Sequence, residues 1–178
     1  LIIDLRIKEM DKPIYFIFCY ARSGGTFFNR YLANFDELVV LSESHPIHNN
    51  KGGIHSVKGQ LKRWYNMDIK SDDYVEQIVE AKQWCDENNK YLVIRDWSYI
   101  DFVKSYLNDF DPPKQSTNIK LLEDRFEVNK IAYVRDGIDI FLPQGNSIKK
   151  FSSEYVEFVK LIKNLNLQIF KYENFVDN

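Results

Sequence analysis

Residues 14–26 read Ile14-Tyr15-Phe16-Ile17-Phe18-Cys19-Tyr20-Ala21-Arg22-Ser23-Gly24-Gly25-Thr26, and this stretch decides the fold. Its first seven residues are apolar on both faces of an extended chain, which is typical of a central strand in a parallel sheet. A glycine pair follows, and residues 26–34 then repeat apolar side chains with helical spacing. The stretch therefore predicts a buried strand, a tight turn and a helix.

The predicted turn has the chemistry of a phosphate-binding loop. Gly24 and Gly25 allow backbone conformations in which several N–H groups point at one anion. The start of the helix adds unpaired N–H donors and the positive end of a dipole. Arg22 adds a permanent charge suited to phosphate oxygens, and Ser23 and Thr26 add hydroxyl donors. A tight turn capped by a serine is the plainer alternative, but it requires neither the charge nor the extra donors.

The loop is not a Walker A motif. That motif ends in Gly-Lys-Ser or Gly-Lys-Thr, and neither triplet occurs in the sequence. An ATPase or a GTPase is therefore disfavoured.

The rest of the chain alternates short apolar strands with amphipathic helices. Strands are predicted at 37–41, 91–94, 130–134 and 168–172, and helices at 71–85 and 152–165. Residues 49–66 are polar and basic and are predicted to be a loop with at most a short helix, and residues 109–117 are predicted to be a second loop. This alternation predicts an α/β three-layer sandwich with a central parallel sheet, whose ligand binds beyond the carboxyl ends of the strands.

Composition limits the class of protein. At 178 residues the chain is expected to form a single domain, 1–178, although a truncated domain stays an alternative because no initiator Met is present. A net charge of −2 argues against a nucleic-acid partner. Two cysteines imply no disulfide framework, and no apolar run is long enough to span a membrane. We therefore expect a cytoplasmic protein with no membrane segment, and its oligomeric state is left open.

Residues 20–27 resemble the 5′-phosphosulfate loop of the sulfotransferases that use PAPS (3′-phosphoadenosine 5′-phosphosulfate). In that family a basic residue, Ser, Gly and Thr of the loop hold the 5′-phosphate of the donor. Residues 34–40 resemble the stretch that follows the loop helix in the family. The resemblance implies the donor-binding residues Arg22, Ser23, Gly24, Gly25, Thr26 and Phe27.

Two later segments agree with this resemblance. Residues 130–139 resemble the family's 3′-phosphate motif, in which Arg135 takes the place of the arginine that grips the 3′-phosphate. Residues 171–176 resemble the family's late Tyr-Glu-Asp-Leu segment. Three landmarks in the right order imply the P-loop-like sulfotransferase fold.

The sequence departs from the family at Pro143, where a serine usually contacts the 3′-phosphate. Proline has neither a hydroxyl nor an N–H, so it cannot replace that contact. Ser147 lies close by in sequence and is predicted to substitute.

The resemblance implies transfer of a sulfuryl group from PAPS to a hydroxyl or an amine, with PAP (adenosine 3′,5′-bisphosphate) as product and no metal. The acceptor, whether a small molecule, a glycan or a peptide, cannot be read from the sequence. Positioning and charge stabilisation would do most of the catalysis, with Arg22 at the leaving group. Two other functions stay open: a nucleotide kinase-like phosphotransferase, and a nucleotide-binding module without turnover.

A catalytic base must accept the proton of the acceptor. Glu43 aligns with the catalytic glutamate of the tyrosylprotein sulfotransferase branch, and His45 is a second candidate because histidine titrates near neutrality. The cytosolic branch uses a histidine where this chain has Trp97, which favours Glu43. A solvated carboxylate is the alternative for Glu43, and a structural role is the alternative for His45.

Three further groups have two interpretations each. Glu43, His45 and His48 could bind a metal, but no cysteine and no fourth ligand joins them. The basic residues of the segment 58–65, with its Trp and Tyr, could flank an adenine or an anionic substrate, or could form a solvated helix face. Arg95 and Asp96, at a strand end, could enter the site or pair with each other.

Overall fold

The computed structural model describes residues 12–50, 52–102, 111–144, 147–165 and 167–176. Its strands are β1 (Ile14–Cys19), β2 (Leu38–Ser44), β3 (Tyr91–Asp96), β4 (Val128–Val134) and β5 (Gln168–Lys171). They form one sheet with the order β2-β3-β1-β4-β5, and every neighbouring pair is parallel. The predicted α/β fold with a central parallel sheet is confirmed.

The helices are α1 (Gly25–Leu32), α2 (Pro46–Asn49), α3 (Val57–Tyr65), α4 (Tyr74–Glu87), α5 (Thr117–Leu122), α6 (Gly137–Phe141), α7 (Ile148–Asn164) and α8 (Tyr172–Val176). Short 3-10 turns lie at Gly53–His55, Ser98–Asp101 and Leu142–Gln144. Within the described residues no helix is long and apolar enough to cross a bilayer.

Strand β1 lies at the point where the strand order reverses. It pairs with β3 on one side and with β4 on the other. In open parallel sheets such a reversal leaves a crevice beyond the carboxyl ends of the strands. The loop that follows β1 therefore lies at the predicted ligand-binding position.

Alternate residues of β1 enter two different cores. Phe16 and Phe18 belong to the larger core, with buried side chains from α3, α4, α5 and α7. Ile17 and Cys19 belong to a smaller core, which α1 closes with Phe28. Burial on both faces explains why the strand sequence is apolar throughout.

Strand β2 forms one edge of the sheet, and side chains of α3 satisfy its outward backbone groups. The Tyr65 hydroxyl accepts from the Val40 N–H at 2.7 Å and donates to the Val40 carbonyl at 3.2 Å. The Gln60 amide accepts from the Ser42 N–H at 2.7 Å and donates to the Ser42 carbonyl at 2.8 Å. Helix α3 is thereby fixed along the edge of β2.

Two helix predictions need correction. Residues 49–66, predicted as a loop with at most a short helix, contain the nine-residue helix α3, because Ser56 caps its first turn and Val57 and Leu61 are buried. Helix α7 begins at Ile148 rather than at residue 152, because Ser147 accepts a hydrogen bond from the Lys150 N–H. Local caps decided both boundaries.

Candidate functional site

The loop between β1 and α1 is shaped by left-handed backbone at two positions. Arg22 has φ 70° and Gly24 has φ 85°, so the chain reverses sharply before the helix. Ser23 is fully buried, and its hydroxyl donates to the Tyr20 carbonyl at 2.6 Å. Ser23 therefore closes the turn from beneath, and its side chain does not line the cavity described below.

Both glycines of the loop occupy places where no side chain fits. A Cβ on Gly24 would lie 2.6 Å from Cδ2 of Tyr172, and a Cβ on Gly25 would lie 2.6 Å from the Cys19 sulfur and 2.9 Å from Nη1 of Arg95. The bare backbone allows the loop to settle onto these groups. Burial raises the pKa of the Cys19 thiol, with Arg95 opposing the shift, so this sulfur is a neutral packing group.

A cavity of about 570 Å³ opens above the loop at the carboxyl ends of the strands. It brings together most of the residues that the sequence singled out, but not Ser23, His45 or Ser147. Its lining includes Arg22, Gly24, Gly25, Thr26, Phe27, Glu43, Arg95, Asp96, Trp97, Tyr99, Arg135 and Pro143. The cavity therefore combines three arginines, one exposed carboxylate and several rings.

Glu43 enters the cavity because strand β2 is irregular at its end. The register between β2 and β3 shifts between Leu41 and Ser44, and Glu43 has φ 50°. Its Oε1 lies 3.2 Å from Nη2 of Arg95, and the same nitrogen donates to the Ser42 hydroxyl at 2.6 Å. Arg95 is buried, whereas the Glu43 side chain is 40% exposed. A buried cation thus orients a carboxylate that remains accessible from the cavity.

A buried amide joins the ends of β2 and β3 behind Glu43. Asn118 donates to the Ser44 carbonyl at 2.8 Å and to Oδ1 of Asp96 at 2.6 Å. It accepts from the Tyr74 hydroxyl at 2.6 Å. Burial, with a smaller contribution from the nearby Asp101, raises the pKa of Asp96 to about 7. No sequence pattern indicates this role for Asn118, because it lies 22 residues from Asp96 along the chain.

The structure places His45 in the core rather than in the cavity. Its Nδ1 accepts from the Ile47 N–H at 3.2 Å, which puts the ring proton on Nε2, 3.2 Å from Oδ1 of Asp101. The side chain is 2% exposed. Both ring nitrogens are therefore occupied, and the histidine caps α2 and ties it to Asp101.

His48 packs against Trp97, which is one of the residues that line the cavity. Its ring stacks on Trp97 with 4.2 Å between ring centroids and on His55 with 5.1 Å, and its Nδ1 lies 3.3 Å from the Glu43 carbonyl oxygen. The three described histidines do not converge on one point, and no group of three or more metal-ligating side chains is found among the described residues.

Arg135 stands at the other end of the cavity, after β4. Its Cζ lies 4.6 Å from the centre of the Tyr172 ring, and its Nη2 lies 3.3 Å from Oδ2 of Asp139. The Tyr155 hydroxyl donates to the Arg135 carbonyl at 3.1 Å. Glu173 accepts from the Asp136 N–H at 2.9 Å, which ties the late Tyr-Glu segment to the arginine motif.

The two residues discussed for the missing serine lie in different places. Pro143 lines the cavity, as its alignment with that serine predicts. Ser147 is exposed at the start of α7, where its hydroxyl accepts from the Lys150 N–H at 3.2 Å. The Ser147 hydroxyl serves as a helix cap in this structure, and Ser147 does not line the cavity.

Searches for known proteins find no matching family model and no curated protein with a matching sequence. Among solved structures, the chain is similar to the sulfotransferase domain of an olefin synthase from Synechococcus PCC 7002. The TM-score is 0.65 and the identity 20%, over 93% of this chain and 68% of that one. The chain has a sulfotransferase-like fold of the P-loop type.

Two other solved structures superpose less closely on this chain, with TM-scores below 0.5. A sulfotransferase from Alicyclobacillus acidocaldarius gives a TM-score of 0.48 at 11% identity, over 94% of this chain and 76% of that one. A thymidylate kinase from Candida albicans gives 0.45 at 15% identity, over 90% and 84%. The similarity to the olefin synthase domain confirms, for the fold, the predicted resemblance to sulfotransferases.

Proposed function

We propose that this protein is a sulfotransferase that moves a sulfuryl group from PAPS to a hydroxyl or an amine and releases PAP. The observation that carries the proposal is one cavity lined by Arg22 and Arg135 together with the accessible carboxylate of Glu43. Two cations suit a nucleotide with phosphates at two positions, and a carboxylate suits proton removal from an acceptor.

The residues present fit such a donor. The backbone N–H groups at the start of α1, with Arg22 and Thr26, would hold the 5′-phosphosulfate. The glycines keep that surface free of side chains, since any Cβ there would collide with the residues beneath. Arg135 would hold the 3′-phosphate, and its Nε is buried without a partner in this structure. Phe27, which is 53% exposed, offers a ring at the cavity wall for the base.

The chemistry requires one proton acceptor and several stabilisers of charge. Glu43 takes the acceptor proton while the acceptor oxygen or nitrogen bonds to sulfur and the bond from sulfur to the 5′-phosphate oxygen breaks. Arg22 and the loop N–H groups stabilise the electron pair left on that phosphate. Arg95 orients Glu43 and adds positive charge beside the transferred group. His45 is assigned a structural role because both of its nitrogens are engaged.

A nucleotide-binding module without turnover is the second candidate, favoured by Pro143 at the cavity wall.

Both cysteines are buried and free, which agrees with the cytoplasm as the proposed compartment.

The first test is ligand-induced stabilisation. PAP should raise the unfolding temperature, because a ligand that binds only the folded state stabilises it. ATP with magnesium serves as the comparison. Stabilisation by ATP alone would favour a phosphotransferase and contradict the proposal.

The second test addresses turnover. Glu43→Gln should lower transfer from PAPS by a factor of about 10² to 10⁴, the usual contribution of a general base, and leave PAP binding nearly unchanged. The measurement is transfer of labelled sulfate to a panel of hydroxyl and amine acceptors. Glu127→Gln, on the loop before β4 at the opposite end of the sheet, is the matched control. Full activity in Glu43→Gln would remove it as the base, and PAP binding with no transfer to any acceptor would favour the module.

A further inference from the structure

A second cavity, of about 450 Å³, lies beside the candidate site between α1, the edge strand β2 and α3. It is lined by Thr26, Asn29, Arg30, Ala33, Val40, Ser42, Trp64 and Tyr65. None of these residues is acidic, and the groove holds one guanidinium and one indole. A space between packed elements would ordinarily be filled by apolar side chains.

The groove is open because α1 turns a polar stripe toward β2. Thr26, Asn29 and Arg30 stand at positions i, i+3 and i+4 on one side of the helix, and the C-cap residue Ala33 follows on the same side at i+7. The aromatic residues of the same helix face elsewhere: Phe28 stacks on Tyr133 with 4.5 Å between centroids. The sequence of α1 therefore builds a polar wall where a purely structural helix would present apolar side chains.

The groove adjoins the proposed reacting centre. Thr26 lines both cavities. Ser42 lines the groove, and its hydroxyl is bonded to Nη2 of Arg95, the nitrogen that also pairs with the Glu43 carboxylate. The groove and the first cavity therefore meet at Thr26, and Arg95 links the groove residue Ser42 to the proposed base.

Two side chains of the groove, Trp64 and Arg30, are available to a ligand. Trp64 is 49% exposed. Within the described part of the chain, no carboxylate lies within ion-pair distance of the Arg30 guanidinium. An open indole face and an unpaired guanidinium in one groove suit a ring that carries negative charge.

We propose that this groove is the acceptor subsite and that it selects acceptors with a carboxylate on a ring opposite the reacting hydroxyl. The inference rests on the proposed function and names the substrate class for that site. Trp64 packs against the ring, Arg30 binds the carboxylate, and the hydroxyl lies at Glu43. Thr26 and Arg30 are one helical turn apart, about 6 Å, which matches the span of a para-substituted ring.

The test compares two probes of nearly the same shape, one anionic and one neutral. 4-Hydroxyphenylacetate and the neutral 4-hydroxyphenylacetamide are titrated calorimetrically into protein saturated with PAP. The acid should bind about fivefold more tightly than the amide, as expected for one partly exposed ion pair. Arg30→Gln should abolish this preference by weakening the acid alone, and Trp64→Ala should weaken both probes.

Arg125→Gln is the matched control, because Arg125 is an exposed arginine paired with Glu76 and lies before β4, at the opposite end of the sheet. It should keep the preference for the acid. Equal binding of the two probes, or a preference that survives Arg30→Gln, overturns the inference. Binding of PAP is recorded first on the same samples: if PAP binds and the acid is not preferred, the acceptor inference alone fails, whereas absence of PAP binding removes the proposed function itself.

Discussion

The two ends of the main cavity hold their anion-binding groups in different ways. After β1, backbone N–H groups join Arg22 and Thr26 as anion donors, and the loop is fixed by glycines whose neighbours leave no room for a Cβ. After β4, the cation is a side chain, Arg135, held by the Tyr172 ring on one side and by Asp139 on another. The first end is set by the fold itself, and the second depends on contacts between side chains. Substitutions should therefore act on the whole ligand at the first end and on one phosphate at the second.

The largest effect is expected at Gly25, the first residue of α1. Gly25→Ala would place a methyl group 2.6 Å from the Cys19 sulfur, so the loop must move. We expect PAP affinity to fall about a hundredfold through loss of one or two hydrogen bonds to charged oxygens. The free energy of unfolding should fall by about 1–3 kcal/mol, the usual cost of overpacking.

Gly137→Ala is the matched control for stability, because Gly137 also begins a helix after a strand, yet its Cβ would lie no closer than 3.4 Å to another atom. Calorimetry with PAP and chemical denaturation measure both quantities. Normal PAP binding by Gly25→Ala would mean that the loop does not hold the ligand.

Arg135→Ala should act on the 3′-phosphate alone. We expect about twentyfold weaker binding of PAP, the contribution of a charge-assisted hydrogen bond, and no change for adenosine 5′-monophosphate, which lacks that phosphate. Comparing the two nucleotides by calorimetry separates the two ends of the cavity. An equal loss of affinity for both nucleotides would contradict the assignment of Arg135 to the 3′-phosphate alone.

Tyr172 should have a smaller effect of the same kind. Tyr172→Leu removes the ring beneath Arg135 and should weaken PAP about fivefold, as expected for a cation–π contact, while Tyr172→Phe should retain the affinity. Adenosine 5′-monophosphate again serves as the reference ligand. A loss shared by both nucleotides would show that the ring supports the Gly24 loop rather than Arg135.

The smallest effect is expected at Pro143, where a substitution should increase the affinity for PAP. Pro143→Ser restores a hydroxyl at the cavity wall and should tighten PAP about threefold, the contribution of a single hydrogen bond. The affinity for adenosine 5′-monophosphate should not change. Unaltered PAP binding would place the 3′-phosphate away from this wall.

Local sequence patterns predicted the sheet and the loop well. The run 14–20 is apolar on both faces because both faces are buried, and the glycines of the loop are required by contacts within the same turn. The parallel sheet and the place of Arg22 follow from such patterns, whereas Glu43 and Arg135 were implied by the resemblance to sulfotransferases, and the structure brings all three into one cavity.

Features that depend on distant residues could not be predicted. The bonds from Asn118 to Ser44 and Asp96 span long stretches of chain, and nothing near Asn118 signals them. His45 resembled a base by its position two residues after Glu43, yet its burial against Asp101 is set by a segment far along the chain. Ser147 resembled a phosphate ligand, although a helix cap was the nearer use of its hydroxyl.

The side chains of α3 along β2 also protect the sheet from unwanted association. An edge strand with unpaired N–H and C=O groups can template another strand and so begin aggregation. Here Gln60 and Tyr65 occupy the outward groups of Ser42 and Val40. Loss of both side chains would expose a β-strand edge beside the groove, and the first sign of damage would be self-association of folded protein rather than unfolding.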